Sequence, residues 1–215
     1  MEHWYIDVNT TIRDIAELVF VGLSTHGRSI ALSDEEVKGY EERGIEVRSL
    51  PLLTPSAFRG NKLCFDNLDT VYFSSAHFAR YCIQAGDVLA VCRGTLFRSA
   101  VVPTSAPQCV IASSLIAVRL NRSMLLPELL CAYLNDSSVL ETLVRKSNSS
   151  TSALSVSVKN IEGVRIRVPD ASVQERLCEI YDAAMAHHDL STEIADALLM
   201  QSRSLVSSHV EVQNG

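Results

Sequence analysis

The sequence predicts an α+β protein, a mixed domain of short strands and short helices followed by one long C-terminal helix. Three observations carry that expectation. Short apolar runs bounded by Gly, Pro, Asp or Ser recur between residues 45 and 120, as short strands do. Two helical stripes, LPELLCAYLN and VLETLVRK, follow them. From Ser172 to Leu205 the chain then meets neither Gly nor Pro, while apolar residues return every three or four positions. With 215 residues and a hydrophobic fraction of 47%, there is enough apolar material to bury a real core.

The elements follow in chain order. IRDIAELVF gives a helical signal, VGLSTHGRS is Gly and Ser punctuation, and the acidic run SDEEVKGYEERG reads as a loop. IEVRSLPLL and the segment around KLCF read as strands. FARYCIQ alternates apolar and polar residues up to a turn at Gly86 and Asp87, and DVLAVCRG behind it reads as a buried strand. SAVVP and CVIASSLIAVRL are two further strands, separated by the loop from Pro103 to Pro107. Pro127 suits a first helical turn, and Ser137 or Ser138 can cap the next helix. After the loop SNSSTSALS, VSVKNIEG leads to RIRV, where charged and apolar residues alternate until Pro169 stops the strand. Ser172 and Glu175 have the spacing of a capping box for the final helix. That helix presents the seam Val173, Leu177, Ile180, Ala184, His187, Ser191, Ile194, Leu198, Gln201 and Leu205. A helix apolar along one stripe has to pack on its own domain or on another chain.

The formal charge of −6 hides an uneven distribution. Residues 1–42 hold three Lys or Arg against nine Asp or Glu, and residues 169–215 hold two against eight. Residues 43–168 hold fourteen against eight, a basic middle between acidic flanks that permits a phosphate-binding surface. The longest apolar runs, IAELVFVGL and LLPELLCAYL, are too short to span a bilayer. MEHWYIDVNTT has no basic region leading into an apolar one, so a cytoplasmic protein is expected. The six cysteines, Cys64, Cys82, Cys92, Cys109, Cys131 and Cys178, form no CxxC and read as reduced thiols packed as small hydrophobes.

Enzymatic spacings are missing. GLSTHG has one residue too many for a serine elbow, and Gly60-Asn61-Lys62 lacks the rest of a phosphate loop. His187 and His188 point to different faces of a helix and are not a metal pair. The six prolines never adjoin, which removes the Pro-Pro-aromatic motif of an amino-methyltransferase. Asp14, Glu36 and Lys38 satisfy a restriction-nuclease pattern only formally, because their segment is acidic and not a buried strand.

The order of the remaining features is informative. LSVSVKNIEGVRIRVPDASVQERLCEIYDAAM resembles the end of a target recognition domain in the specificity subunit of type I restriction-modification systems. Leu154, Ile166, Val168, Pro169 and Gln174 stand where that family has a Leu, a strand closing in Pro, and a Gln opening a long helix. IQAGDVLAVCRGT, CVIASSLIAVRLN, LLPELLCAYLN and RDIAELVFVG resemble its Gly-Asp strand, next strand, Pro-x-Tyr-Leu helix and opening helix. The second Pro of the family's Pro-x-Pro signature is absent, and the family usually carries two such domains in a chain about twice this length.

The resemblance implies a recognition domain over residues 1–169 and a spacer or dimerisation helix over 170–215. It implies double-stranded DNA as ligand, a methyltransferase and/or restriction subunit as partner, and no catalysis by this chain. No cofactor is expected here, S-adenosylmethionine belonging to the methyltransferase. The DNA-facing candidates are Arg59 and Lys62 in the turn FRGNK, Arg93, Thr95 and Arg98 around Gly94, and Ser149, Ser150, Thr151 and Ser152 as adaptable donors. Leu177, Ile180, Ala184, Ile194, Leu198 and Leu205 are the candidates for a homodimer seam. A second reading keeps the fold but makes the chain a protein-interaction module that docks on a methyltransferase without reading DNA.

Overall fold

A computed structural model describes residues 5–6, 10–24, 32–45, 47–73, 76–94, 96–146 and 154–210. The chain divides into two compact units, Met1–Gln174 and Glu175–Gly215.

In the first unit β1 (Tyr5–Ile6), α1 (Ile12–Ile15), β2 (Ala16–Val21) and α2 (Asp34–Glu42) precede β3 (Arg48–Leu53). The hairpin of β4 (Phe58–Arg59) and β5 (Lys62–Leu63) leads to β6 (Asp69–Phe73). Then come β7 (Val88–Val91), β8 (Arg93–Gly94), β9 (Ser99–Val101), β10 (Val110–Ile111) and β11 (Leu115–Leu120). Helices α3 (Pro127–Leu134) and α4 (Ser137–Lys146), then β12 (Leu154–Ser155), α5 (Val158–Glu162) and β13 (Val168–Pro169), lead to α6 (Ala171–Val210).

The core is an antiparallel sheet in the order β2-β11-β7-β9, whose central strands β11 and β7 are buried on both faces. On one face Val88 and Ala90 of β7 join Ile116, Val118 and Leu120 of β11 against Ile12, Ile15, Leu130 and Leu134 of the helices. On the other, Leu89 and Val91 join Leu115 and Ala117 against Leu53, Phe58 and Ile111. A strand buried on both faces needs apolar residues at every position, which is why VLAV reads as a continuous run. A second sheet, β10-β3-β6, adds β10 parallel to β3.

The α+β class and the long terminal helix stand as expected. Several local expectations do not. IRDIAELVF is helical only as far as Ile15; from Ala16 it is an edge strand, because Val19, Phe20 and Val21 gain a cross-strand partner in β11. The acidic run is not a loop but the helix α2, opened by a Ser33–Glu36 capping box. CVIASSLIAVRL is two strands, β10 and β11, with Ser113 and Ser114 between them. Asp136, not Ser137 or Ser138, caps α4, its Oδ1 accepting from Ser138 N at 2.9 Å. RIRV contributes only an isolated bridge from Arg165 to Thr11 and, with Val168, the first of the two residues of β13, Pro169 being the second. Helix α6 begins at Ala171, with Asp170 O accepting from Val173 N and Gln174 N, so Ser172 lies inside the first turn instead of capping it. No helix among the described residues is long and apolar enough to cross a membrane.

Candidate nucleic-acid interface

The first group of cations sits on the β4–β5 hairpin. Phe58 pairs with Leu63 and Arg59 with Lys62 across a two-residue turn in which Gly60 adopts φ +60°. Phe58 is buried and Leu63 packs on the core, so the pleat turns Arg59 and Lys62 to the exposed side. The Arg59 guanidinium leans back over the preceding 3-10 turn, Nη1 donating to Ser56 O at 2.6 Å.

The second group lies beyond the C-terminal end of β7. Cys92 closes the buried strand, and β8 then carries Arg93 into solvent opposite Ser155, with Gly94 opposite Leu154. Gly94 has φ +137°, which L side chains rarely adopt, and nothing lies within 4 Å of where its Cβ would be. Backbone conformation, not crowding, therefore requires glycine here. Arg98 is half-buried, its carbonyl accepting from Val91 N at 2.8 Å. The register of β8 on β12 thus joins Arg93 to the segment that follows the Ser-rich loop. Thr95 and Ser149, Ser150, Thr151 and Ser152 lie outside the described residues. Strand β5 lies against β9, which Arg98 precedes, so the two groups neighbour one another.

At the opposite end of β7 is a polar cleft of about 460 Å³, where the sequence suggests only a turn. Asp87 is 1% exposed and binds Arg119 bidentately, with Nε to Oδ1 and Nη2 to Oδ2 both at 2.8 Å. These hydrogen bonds to Asp87 hold the Arg119 guanidinium above its ordinary pKa, against the opposing effect of burial. Arg122 Nη2 donates to Ala85 O at 2.5 Å and lies over Gly86, where a Cβ would meet its guanidinium at 1.7 Å. Glu17 enters the same cleft as the extra residue of a β-bulge, because Arg119 pairs with Leu18 and Leu120 with Ala16. The signal in the sequence was Gly86-Asp87 followed about thirty residues later by RLNR, too sparse to separate an ion pair from a turn.

The formal nuclease residues have other work. Asp14 Oδ2 accepts from Thr11 N at 2.8 Å, and Glu36 Oε2 accepts from Ser33 N at 2.8 Å. Each carboxylate is spent on a helix N-terminus, and the bonds from Thr11 and Ser33 lower both pKa values. No cluster of three or more His, Cys, Asp or Glu that could hold a metal ion occurs among the described residues.

No protein-family model and no curated protein matches the sequence. Solved structures do match. In fold the chain resembles one half of the specificity subunit of a type I restriction-modification system. The HsdS subunit from Thermoanaerobacter tengcongensis superposes with a TM-score of 0.60 at 15% identity, over 97% of this chain and 49% of that one. A chain from work on complex assembly and conformational transition of the type I R-M system gives 0.63 at 13% identity, over 96% of this chain and 50% of that one. The chain therefore spans about half the length of the structures it matches.

Proposed function

We propose that this chain is a sequence-specificity module for double-stranded DNA, without catalysis of its own, that directs a separate methyltransferase and/or restriction nuclease subunit. The observation that carries the reading is the likeness to type I specificity-subunit structures along nearly the whole of this chain and half of theirs. Residues 1–169 are the recognition domain and 170–215 the arm. S-adenosylmethionine belongs to the methyltransferase, and two copies of this chain joined through the arm supply the two recognition domains that the longer chains carry in one. The DNA faces Arg59, Lys62, Arg93 and Arg98, and Thr95 and Ser149 to Ser152, which lie outside the described residues, complete the set as adaptable donors. Contacts of the first pair to phosphates would position the domain, and contacts of the second pair to base edges would specify the sequence.

Selection from random duplexes, followed by titration at several salt concentrations, tests this. The expected outcome is an enriched inverted repeat whose log affinity falls linearly with log salt. Replacing Arg93 and Arg98 with Ala weakens the selected site by roughly tenfold or more and leaves unselected DNA nearly unaffected. Replacing Arg59 and Lys62 with Ala weakens all sequences alike and reduces the salt slope by about one for each phosphate that is no longer neutralised. A chain that captures a methyltransferase subunit yet shows no salt-dependent, sequence-selective DNA binding overturns the reading in favour of a pure docking module.

A further inference from the structure

The polar cleft at the start of β7 is lined by two carboxylates and two guanidiniums, of which only one pair is spent on itself. Asp87 is saturated: Oδ1 accepts from Arg119 Nε, and Oδ2 accepts from Arg119 Nη2 and from Gln84 N, each at 2.8 Å. Arg119 Nη2 also reaches Cys82 O at 3.4 Å. This pair is a neutral floor that ties the Gly86 turn to β11. Glu17 and Arg122 stand differently, since both are exposed. Among the described residues the Glu17 carboxylate takes no hydrogen bond and no ion pair. Arg122 has one hydrogen bond there, from Nη2 to Ala85 O, which leaves Nε and Nη1 to donate elsewhere. Backbone geometry fixes both positions. The bulge in β2 re-aims Glu17, which a regular register would set opposite Leu120, and the missing Cβ of Gly86 lets the Arg122 guanidinium fold over the turn. Two opposite charges thus line one cleft of about 460 Å³ without pairing with each other.

We infer that this cleft is a binding site for a small zwitterion of the free α-amino acid class, with its ammonium on the Glu17 carboxylate and its carboxylate on the Arg122 guanidinium. Charge balance selects that class. Glu17 and Asp87 against Arg119 and Arg122 leave the cleft neutral, so a simple anion that approaches Arg122 meets Glu17, and a simple cation that approaches Glu17 meets two guanidiniums. A molecule that carries both charges is attracted at both ends. A free amino acid carries them on one carbon, close enough to bridge two groups of the same cleft. The concave shape also suits a small molecule better than the flat surface of a folded partner. The site lies at the opposite end of β7 from Arg93, so the inference does not rest on the reading of DNA.

Thermal midpoints of the full chain, measured with the common L-amino acids one at a time at millimolar concentration, test the site. At least one should raise the midpoint, while the amine that lacks its carboxylate and the acid that lacks its ammonium leave the midpoint unchanged. Titration of that amino acid into Glu17→Gln and into Arg122→Gln should show affinity lower by about tenfold or more in each, because a hydrogen bond between charged groups is lost. Both side chains are exposed, so the midpoint without ligand and the circular dichroism should match wild type. Replacing Arg59 and Lys62 with Ala should leave the affinity untouched. No midpoint shift with any amino acid, an equal shift with the matched amine or acid, or binding that survives both substitutions overturns the site. None of these results bears on the DNA titration, which decides the proposed function separately.

Discussion

Gln174 shows what one polar side chain contributes to the first unit. It is 6% exposed, and its amide makes three hydrogen bonds. Oε1 accepts from Leu126 N at 2.9 Å, and Nε2 donates to Met124 O and Pro169 O, both at 2.8 Å. One amide thus ties the first turn of α6 to the end of β13 and to the start of α3, where Leu126 N–H has no helical partner. Gln174→Leu keeps most of the volume but strands one donor and two acceptors. At about 1 kcal/mol or more for each buried group left unmade, chemical denaturation should show a loss of about 2–4 kcal/mol. An unchanged midpoint would mean that water replaces the amide. The buried thiols behave in the opposite way. Burial pushes Cys92 and Cys131 up to about 11 and Cys109 to about 12, so all three stay neutral at physiological pH and pack as the small hydrophobes expected from the sequence.

At the scale of the element, caps and turns decide what is legible in the sequence. The buried strand β7, the Pro127 start of α3 and the length of α6 follow from composition alone, because nothing else satisfies a four-residue apolar run between turns or a Gly- and Pro-free stretch with a seam. Helix α2 was legible too, through Ser33 and Glu36, but an acidic composition hid it. The same pattern misleads at Ser172 and Glu175, where Pro169 ends the strand and the helix starts two residues early. Edge strand β2 was not legible, since Ile12 to Phe20 fits a helical period and only pairing with β11 decides. The two cation groups were visible as residues, whereas their approach through β5 on β9 and β8 on β12 is tertiary. The caps also set an acid response. Hydrogen bonds from Thr11, Ser33 and Ser138 depress the pKa values of Asp14, Glu36 and Asp136 in the folded state. A depressed folded value means stability that is present above the ordinary carboxylate range and lost as pH falls through the folded values. Thermal midpoints should therefore drop as pH falls below about 4, and should drop less steeply in an Asp14→Asn, Glu36→Gln, Asp136→Asn variant, whose midpoint at neutral pH is lower. Parallel pH profiles for the two proteins would remove the caps from the account.

For the whole molecule the unequal distribution of charge bears on the proposed function. The basic residues are concentrated between 43 and 168 and the acidic ones toward both ends, so in the proposed reading the middle of the chain attracts phosphates and the arm makes the protein contacts. A single recognition domain reading a short half-site binds weakly, whereas two held together gain through effective concentration, typically by a factor of about 10² or more. Changing Ile194 and Leu198 to Asp places charges on the exposed seam and touches no buried residue, so the domain should keep its fold. Affinity for a single half-site should then stay at the wild-type value, while affinity for the full inverted repeat falls by about a hundredfold toward it. Equal losses on both duplexes would place the arm in direct contact with DNA. Equal retention on both would mean that one copy reads the whole site.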